Sequence, residues 1–420
     1  MLVVVFIVVV VTTSYAVSAF LRSRRARPEP LPAPDHLFFV FVVPCLNEEL
    51  VIDASLDRLL GLPSDNVAVL VVDDGSDDRT AELVEARQSD RVWVVRRELP
   101  NARQGKGAAL NYAFRFLRES GVLDGHRPED VIVVVMDADG RISQNALVEV
   151  APYFADPKSA AVQVGVRMYN RDASLIARMQ DLEFVTFTHI FQRARQRTGS
   201  IGLGGNGQFN RLTALADLGD EPWTDCLTED LDLGVRFLIN GWVNHFCPTA
   251  DVSQQAVTSV RRLLRQRARW FQGHLQCWRF LPMLLRPRRM GRSQANELAY
   301  HLSSPVLVLG MTPPVVAFLG VFAALLITDP GAAGRSLLAH QGLGLAVAYV
   351  LGFGMAALYA FVYWLTEDSV GLGRAFAYAH LYCLYGYLWF PAGWTAVTRV
   401  VRRRRTWWKT ARTVDANVAQ

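Results

Sequence analysis

Lysine is almost missing from this 420-residue chain. Lys106, Lys158 and Lys409 are the only three, so arginine supplies nearly all of its 44 basic residues. Cysteine is sparse too. Cys45, Cys226, Cys247, Cys277 and Cys383 form no Cys-x-x-Cys pair and no metal-ligand spacing, so neither a disulfide framework nor a zinc site is indicated, and a reducing, cytosol-facing compartment fits. No internal repeat or low-complexity tract is present. The most informative absence is charge: residues 1–21, 301–328, 336–366 and 375–398 contain no Asp, Glu, Lys or Arg. Each stretch meets the roughly 20 apolar residues needed to cross a hydrocarbon core, which predicts an integral membrane protein. Core helices of soluble proteins are usually shorter and keep a polar edge. The same lack of intramembrane charge argues against a transporter or channel, whose substrate path would carry ionisable groups; His301, His340 and His380 are the histidines there.

The net charge of +5 and pI near 9.0 do not point to nucleic acid. Arg22, Arg24, Arg25 and Arg27 follow the first apolar stretch, and Arg399 with Arg402 to Arg405 follow the last, as membrane flanks do. Because positive charge follows residues 1–21 instead of preceding them, this stretch reads as a retained anchor with its following segment inside, not as a cleaved signal peptide. Residues 22–36, with Pro28, Pro30, Pro32 and Pro34, read as a basic extended linker. Residues 37–260 form a cytosolic domain and 261–300 a set of basic amphipathic interfacial helices. Residues 301–398 form a transmembrane region of two or three spans, and 399–420 a basic tail. Four single crossings would leave that tail outside, against the positive-inside tendency. The expected exception is 375–398, interrupted by Pro391 and Gly393 and rich in Tyr and Trp, as a re-entrant or interfacial segment.

From Leu37 onward short β-branched runs alternate with amphipathic stretches, the pattern of a mostly parallel sheet covered by helices. Strands are expected at Leu37–Val43, Val67–Asp73, Val92–Arg96, Val131–Asp137 and Ala160–Val166. Helices are expected at Glu48–Leu60, Arg79–Arg87, Gly107–Glu119, Gln144–Phe154 and over 172–197, with a Gly-rich loop at 199–211. Ligands in such sheets bind beyond the carboxyl ends of strands, where Asp73 and Asp137 fall.

Four signatures carry chemistry. Asp73-Asp74-Gly75 ends a strand, where a carboxylate can accept from a uracil imide or ribose hydroxyls; an Asp-Gly turn is its ordinary reading. Asp137-Ala138-Asp139 offers two carboxylates able to share a hard cation that bridges phosphate oxygens. Thr228-Glu229-Asp230 opens a helix, with Thr228 as its expected N-cap and a carboxylate placed to take a proton from a hydroxyl. Gln266-Arg267-Ala268-Arg269-Trp270 sets Gln266 and Arg269 on one helix face, with Trp270 one turn from Gln266; beside a membrane an Arg-Trp pair is also a common anchor. Lys106, at a helix start after glycine, suits a phosphate.

Together these signatures resemble the membrane-embedded family-2 glycosyltransferases, the group with cellulose, chitin, hyaluronan and poly-N-acetylglucosamine synthases and some bacterial glycolipid synthases. The resemblance covers about residues 38–275. It extends to Pro44-Cys45-Leu46-Asn47-Glu48-Glu49 and to Gly105-Lys106-Gly107-Ala108-Ala109-Leu110-Asn111. It implies an α/β catalytic domain of the GT-A type on the cytosolic face of a bacterial plasma membrane. By motif, Pro44, Asn47, Glu48, Asp73, Asp74, Lys106, Asp137, Asp139, Gln266 and Arg269 would bind the nucleotide sugar. Asp139 with Asp137 would hold Mg2+ or Mn2+, and Asp230 would be the base. Gly205, Asn206, Gln208, Glu229 and Trp270 would face the acceptor. Ser253-Gln254-Gln255 stands where many processive members carry an acidic residue, and the loop 204–209 departs from the hyaluronan-synthase pattern. The implied reaction is transfer from a nucleotide donor, UDP-linked by expectation, with inversion to a β-linkage. A polysaccharide acceptor is favoured through Trp270, with a glycolipid product as the alternative and an inactive scaffold as a remote one.

Overall fold

The chain is described by a computed structural model over residues 13–21 and 36–403. The first twelve residues of the expected anchor, the linker over 22–35 and the tail over 404–420 lie outside the described residues.

In chain order the elements are helix α1 (13–21), β1 (Phe38–Cys45), α2 (Ile52–Leu60), β2 (Val67–Asp73), α3 (Thr80–Glu85), β3 (Val92–Arg96), α4 (Lys106–Glu119) and β4 (Val131–Val135). Then come β5 (Arg141–Ile142), α5 (Ala146–Val150), β6 (Ser159–Met168), α6 (Leu175–Thr186), α7 (Arg193–Gln196), β7 (Gln208–Arg211), α8 (Leu212–Asp217), α9 (Glu229–Ile239) and β8 (Val243–Gln254). The helical remainder is α10 (Val260–Gln276), α11 (Leu281–Leu284), α12 (Arg292–Thr328), α13 (Pro330–Phe353), α14 (Ala356–Thr366), α15 (Leu372–Tyr385) and α16 (Trp389–Val401).

The β-branched runs form one eight-stranded sheet in the order β3-β2-β1-β4-β7-β6-β8-β5. Alternate residues of each central strand go to opposite faces. Phe39, Phe41, Val43, Val69, Val71 and Val134 pack with Leu56 and Leu59 of α2 and Val150 of α5. Val40, Val42, Leu70, Val72, Val133 and Val135 pack with Leu110 and Phe114 of α4 and Phe237 of α9. Helices on both faces explain why these strands read as continuous apolar runs.

The sheet is mixed. β3, β2, β1 and β4 are parallel, but β7 runs antiparallel to β4 and β6. Residues 208–211, expected in a loop, are therefore strand, and this carries weight for the site. Because β7 is antiparallel, Gln208 lies opposite Val135 and the preceding glycines meet the carboxyl end of β4. The expected helix over 172–197 holds in parts: Ser174 caps α6 by accepting from Ala177 N at 3.1 Å, and a π-helical turn over Phe187–Gln192 leads into α7. Thr228 departs from expectation. It stands at the N-cap position of α9 but makes no capping hydrogen bond.

Two of the expected single spans are divided. The run 336–366 breaks at Gly354-Met355 between α13 and α14, and 375–398 breaks in a 3-10 turn over Gly386–Leu388, upstream of Pro391. The α14–α15 turn is fastened to the sheet: Arg167 of β6 pairs with Asp181 at 3.0 Å and also with Glu367, which Arg171 approaches at 3.1 Å. Among the described residues, α12 is the helix long and apolar enough to cross a membrane, by length and composition.

Candidate active site

Parallel pairing brings the carboxyl ends of β1, β2 and β4 to one edge, with Cys45 in register with Asp73. Their following turns open into a cavity of about 610 Å³. Its lining includes Pro44, Glu48, Asp74, Lys106, Asp137, Gly205, Asn206, Glu229, Asp230, Gln266 and Arg269. Residues as far apart in sequence as Pro44 and Arg269 thus share one chamber.

The Asp73-Asp74 turn divides its labour. Asp74 faces the cavity and pairs with Arg97 at 2.5 Å, its carboxyl held above the usual range by burial. Asp73 is fully buried and does not line the cavity; its Oδ1 accepts from Ser76 N at 3.1 Å and its Oδ2 lies 3.3 Å from Arg96. Asn47 also stands off the wall. It adopts a left-handed φ of 53° and bridges two turns, receiving from Asp77 N at 2.8 Å and donating its own N–H to Ser76 Oγ at 2.9 Å. Both residues shape the wall without forming it.

At the end of β4, Asp137 reaches the cavity and Lys106 Nζ lies 2.6 Å from its Oδ1. Lys106 also donates to Gly205 O. Burial works against that ammonium, but Asp137, Glu229 and Asp230 outweigh it and raise its pKa. Asp139 sits behind the wall, 2% exposed, with Oδ2 accepting from Gln255 N at 2.9 Å. Asn206 joins the two loops: its Oδ1 accepts from Asp137 N at 3.1 Å and its Nδ2 donates to Gln254 at 3.0 Å. Gln208 belongs to the sheet and is absent from the wall; its Oε1 accepts from Asn210 at 3.3 Å. An oxygen-only pair of carboxylates, without thiolate or imidazole, fits a hard divalent ion in kind.

Glu229 and Asp230 enter at the first turn of α9. The segment before them is clamped to α4: Asn111 donates to Trp223 O at 2.7 Å and accepts from Trp223 N at 2.9 Å. On the other side it presses on α10, where a Cβ on Gly273 would stand 2.6 Å from Thr228 N. A Cβ on Gly205 would lie 3.3 Å from Asp230 Oδ2 and 3.4 Å from Lys106 Nζ, so the loop passes close against the ends of both side chains. Burial raises both carboxyls, Glu229 to about 7, with Asp230 adding to the Glu229 shift, while Lys106 and Arg269 oppose it.

The α10 signature splits by face. Gln266, Arg269 and Trp270 line the cavity. Arg267, with a side chain 1% exposed, pairs with Glu183, donates to Tyr385 OH at 3.2 Å and covers Trp270 at 4.1 Å from the ring centroid. The sequence reading assigned Arg267 nothing, although its i,i+3 spacing from Trp270 is legible. Also missed were Phe184, Phe187, Phe191, Phe271, His274, Trp389 and the α12 residues His301, Ser304, Pro305 and Val308, which line the same cavity. The α12 set recurs at +3, +4 and +7, the stripe of one helix face.

The family profile "Glycosyltransferase like family 2" matches residues 34–273. The beta-monoglucosyldiacylglycerol synthase of a Synechocystis strain is 34% identical over 279 residues, 62% of this chain and 55% of that protein. The poly-beta-1,6-N-acetyl-D-glucosamine synthase of Staphylococcus aureus is 26% identical over 243 residues, 56% of this chain and 53% of that protein. The chain thus spans little more than half the length of the curated relatives it matches. Among solved structures, a mannosyltransferase from Pyrobaculum calidifontis in complex with GDP-Man and Mn2+ superposes with a TM-score of 0.53 at 21% identity, covering 83% of this chain and 98% of that one. At that identity the likeness speaks for the GT-A fold. With the profile spanning more than half of its residues, this chain belongs to the family-2 glycosyltransferases and is an enzyme of that class.

Proposed function

We propose that this chain is a membrane-bound inverting glycosyltransferase that moves a sugar from a nucleoside diphosphate, UDP by preference, to the hydroxyl of a lipid, giving a β-glycolipid. The observation that carries this reading is the mixed lining of one cavity. Asp137 and Asp230 share it with a set of aromatic side chains and with the stripe on α12. A hydroxyl on an amphipathic acceptor can reach Asp230 while its hydrocarbon stays against α12. The 34% identity to a glucosyldiacylglycerol synthase supports the same acceptor class.

In this mechanism Asp230 takes the acceptor proton as the hydroxyl oxygen attacks the anomeric carbon and the bond to the diphosphate breaks on the opposite face. Burial makes that carboxylate a stronger base than an exposed aspartate. Lys106 and Arg269 receive the charge of the departing diphosphate. Asp74 holds the nucleoside, with Asp73 and Asn47 fixing its turn. Asp137 and Asp139 would hold Mg2+ or Mn2+, which when bound neutralises diphosphate oxygens. The domain covers 37–260 on the cytosolic side of the plasma membrane, 261–300 lies at the interface, and α12 spans the bilayer.

The polymer reading rests on Trp270 stacking on an acceptor sugar. One face of that ring is taken by Arg267 at 4.1 Å, and Phe184 stands at 87° to it at 6.0 Å between centroids, which favours a wall over a stacking platform. Incubation of the purified full chain in diacylglycerol-containing vesicles with labelled UDP-sugars tests the choice. An organic-extractable product supports the lipid acceptor, and alcohol-insoluble label would replace it with a polysaccharide.

A further inference from the structure

Proline in the interior of a helix removes the donor that the carbonyl four residues earlier requires. α12 has three interior prolines, Pro305, Pro313 and Pro314, and for Pro305 the carbonyl is that of His301. His274 of α10 supplies the missing donor: its Nε2 lies 3.0 Å from His301 O. A carbonyl only accepts, so the ring carries its proton on Nε2. Burial, with Arg195 adding to it, holds the His274 pKa down to about 4 against that hydrogen bond, so the neutral tautomer persists at physiological pH. A second tie stands one residue on, where Trp278 Nε1 donates to Leu302 O at 2.7 Å. The rings of His274 and His301 meet edge to face at 4.9 Å, and both line the cavity.

We propose that His274 is a positioning residue that sets the acceptor wall, by giving α12 the hydrogen bond that Pro305 denies it. The wall concerned is the His301, Ser304, Pro305 and Val308 stripe. α10 carries Gln266, Arg269 and Trp270 on its earlier turns, so one rigid helix fixes the donor side through those residues and the acceptor side through His274. This rests on the lipid-acceptor reading only for the identity of what lies against the wall. The bond itself is a property of α10 and α12. An unsatisfied helix carbonyl beside the cavity would draw water and let the turn around Pro305 shift, which changes the seat of the acceptor before it changes the nucleotide site.

The test is a cycle in the full-length chain: His274→Ala, Pro305→Ala, the double variant, and His274→Gln, whose Nε2 stands at the same reach as the imidazole Nε2. We expect His274→Ala to raise the acceptor KM about five- to tenfold, in keeping with a lost buried hydrogen bond. The donor KM should move by less than about twofold, and His274→Gln should restore the acceptor KM. On the Pro305→Ala background, loss of His274 should cost little, because the backbone N–H regained at that position then serves His301 O. Equal rises in both KM values, a folded His274→Gln variant with the alanine phenotype, or additive effects of the two alanine substitutions would overturn the proposal. If no extractable product forms, so that the acceptor reading itself fails, the same cycle is read in thermal unfolding midpoints. Non-additivity there supports the His274–Pro305 relationship, and additivity removes it.

Discussion

Lys106 Nζ stands 2.6 Å from Asp137 Oδ1, on the side of the cavity where a Cβ on Gly205 would meet both Nζ and Asp230 Oδ2 within 3.4 Å. One ammonium therefore links the carboxylate assigned to the metal with the carboxylate assigned to the acceptor proton. In a chain with three lysines this placement is specific.

Removing that charge tests it first. Lys106→Met should raise the donor KM about 10- to 100-fold, the range expected for a charge-assisted bond to phosphate of about 1.5–3 kcal/mol. Steady-state kinetics over donor concentration reads it, and an unchanged donor KM would take Lys106 out of the diphosphate site.

Asp230→Asn should lower kcat about 10²- to 10⁴-fold while donor affinity, measured by calorimetry, stays within about threefold. For the unmodified enzyme, kcat/KM should fall toward acid pH sooner than an exposed aspartate would make it, because burial raises the Asp230 carboxyl and its protonation removes the base. The stability sign is opposite. A carboxyl raised in the folded state binds more protons there than in the unfolded chain, so the Glu229 contribution is present below about 4.5 and is lost as pH rises toward about 7. Glu229→Gln should flatten that loss in melts run from pH 5 to 8.

Metal removal is the third measurement. EDTA should stop transfer, and Mn2+ or Mg2+ should restore it in the wild type at far lower concentration than in Asp137→Asn or Asp139→Asn. Full activity in chelator would withdraw the metal role from both aspartates.

Gly273→Ala places a methyl where 2.6 Å separates the ideal Cβ from Thr228 N and from Thr228 Oγ1. The clash is with backbone, so α9 must shift. About 1–3 kcal/mol of stability should be lost, with a fall in kcat larger than that loss explains because Asp230 moves with Thr228. Thermal melts and single-turnover rates separate the two effects.

Much of the α/β half was legible. The β-branched runs expected at Val131–Asp137 and Val67–Asp73 are strands, the first ending at Val135, and α2, α3 and α4 appear within a few residues of where periodicity puts them. Short strands were not legible: Gln208–Arg211 is polar, glycine precedes it, and its β identity comes from pairing with β4 on one side and β6 on the other. Long-range pairing leaves little local trace. Asp73 and Asp74 are adjacent carboxylates of the same motif, yet only Asp74 reaches the cavity, because successive residues at a strand end point to opposite sides.

The motifs that carry the family resemblance were legible in the sequence, and so were the charge-free stretches. Carboxylate pairs at strand ends, a basic aromatic helix and charge-free stretches each express a short-range rule of solvation or chain geometry, and such rules survive in one dimension. Packing chose the rest. Whether Glu229, Asp230, Lys106 and Asp137 would share a chamber, and whether that chamber would continue onto a face of α12, depended on β7 running antiparallel, on Gly273 admitting Thr228, and on His274 reaching a carbonyl 27 residues away. Contacts between segments distant in sequence are made by burying surface that no single segment carries alone.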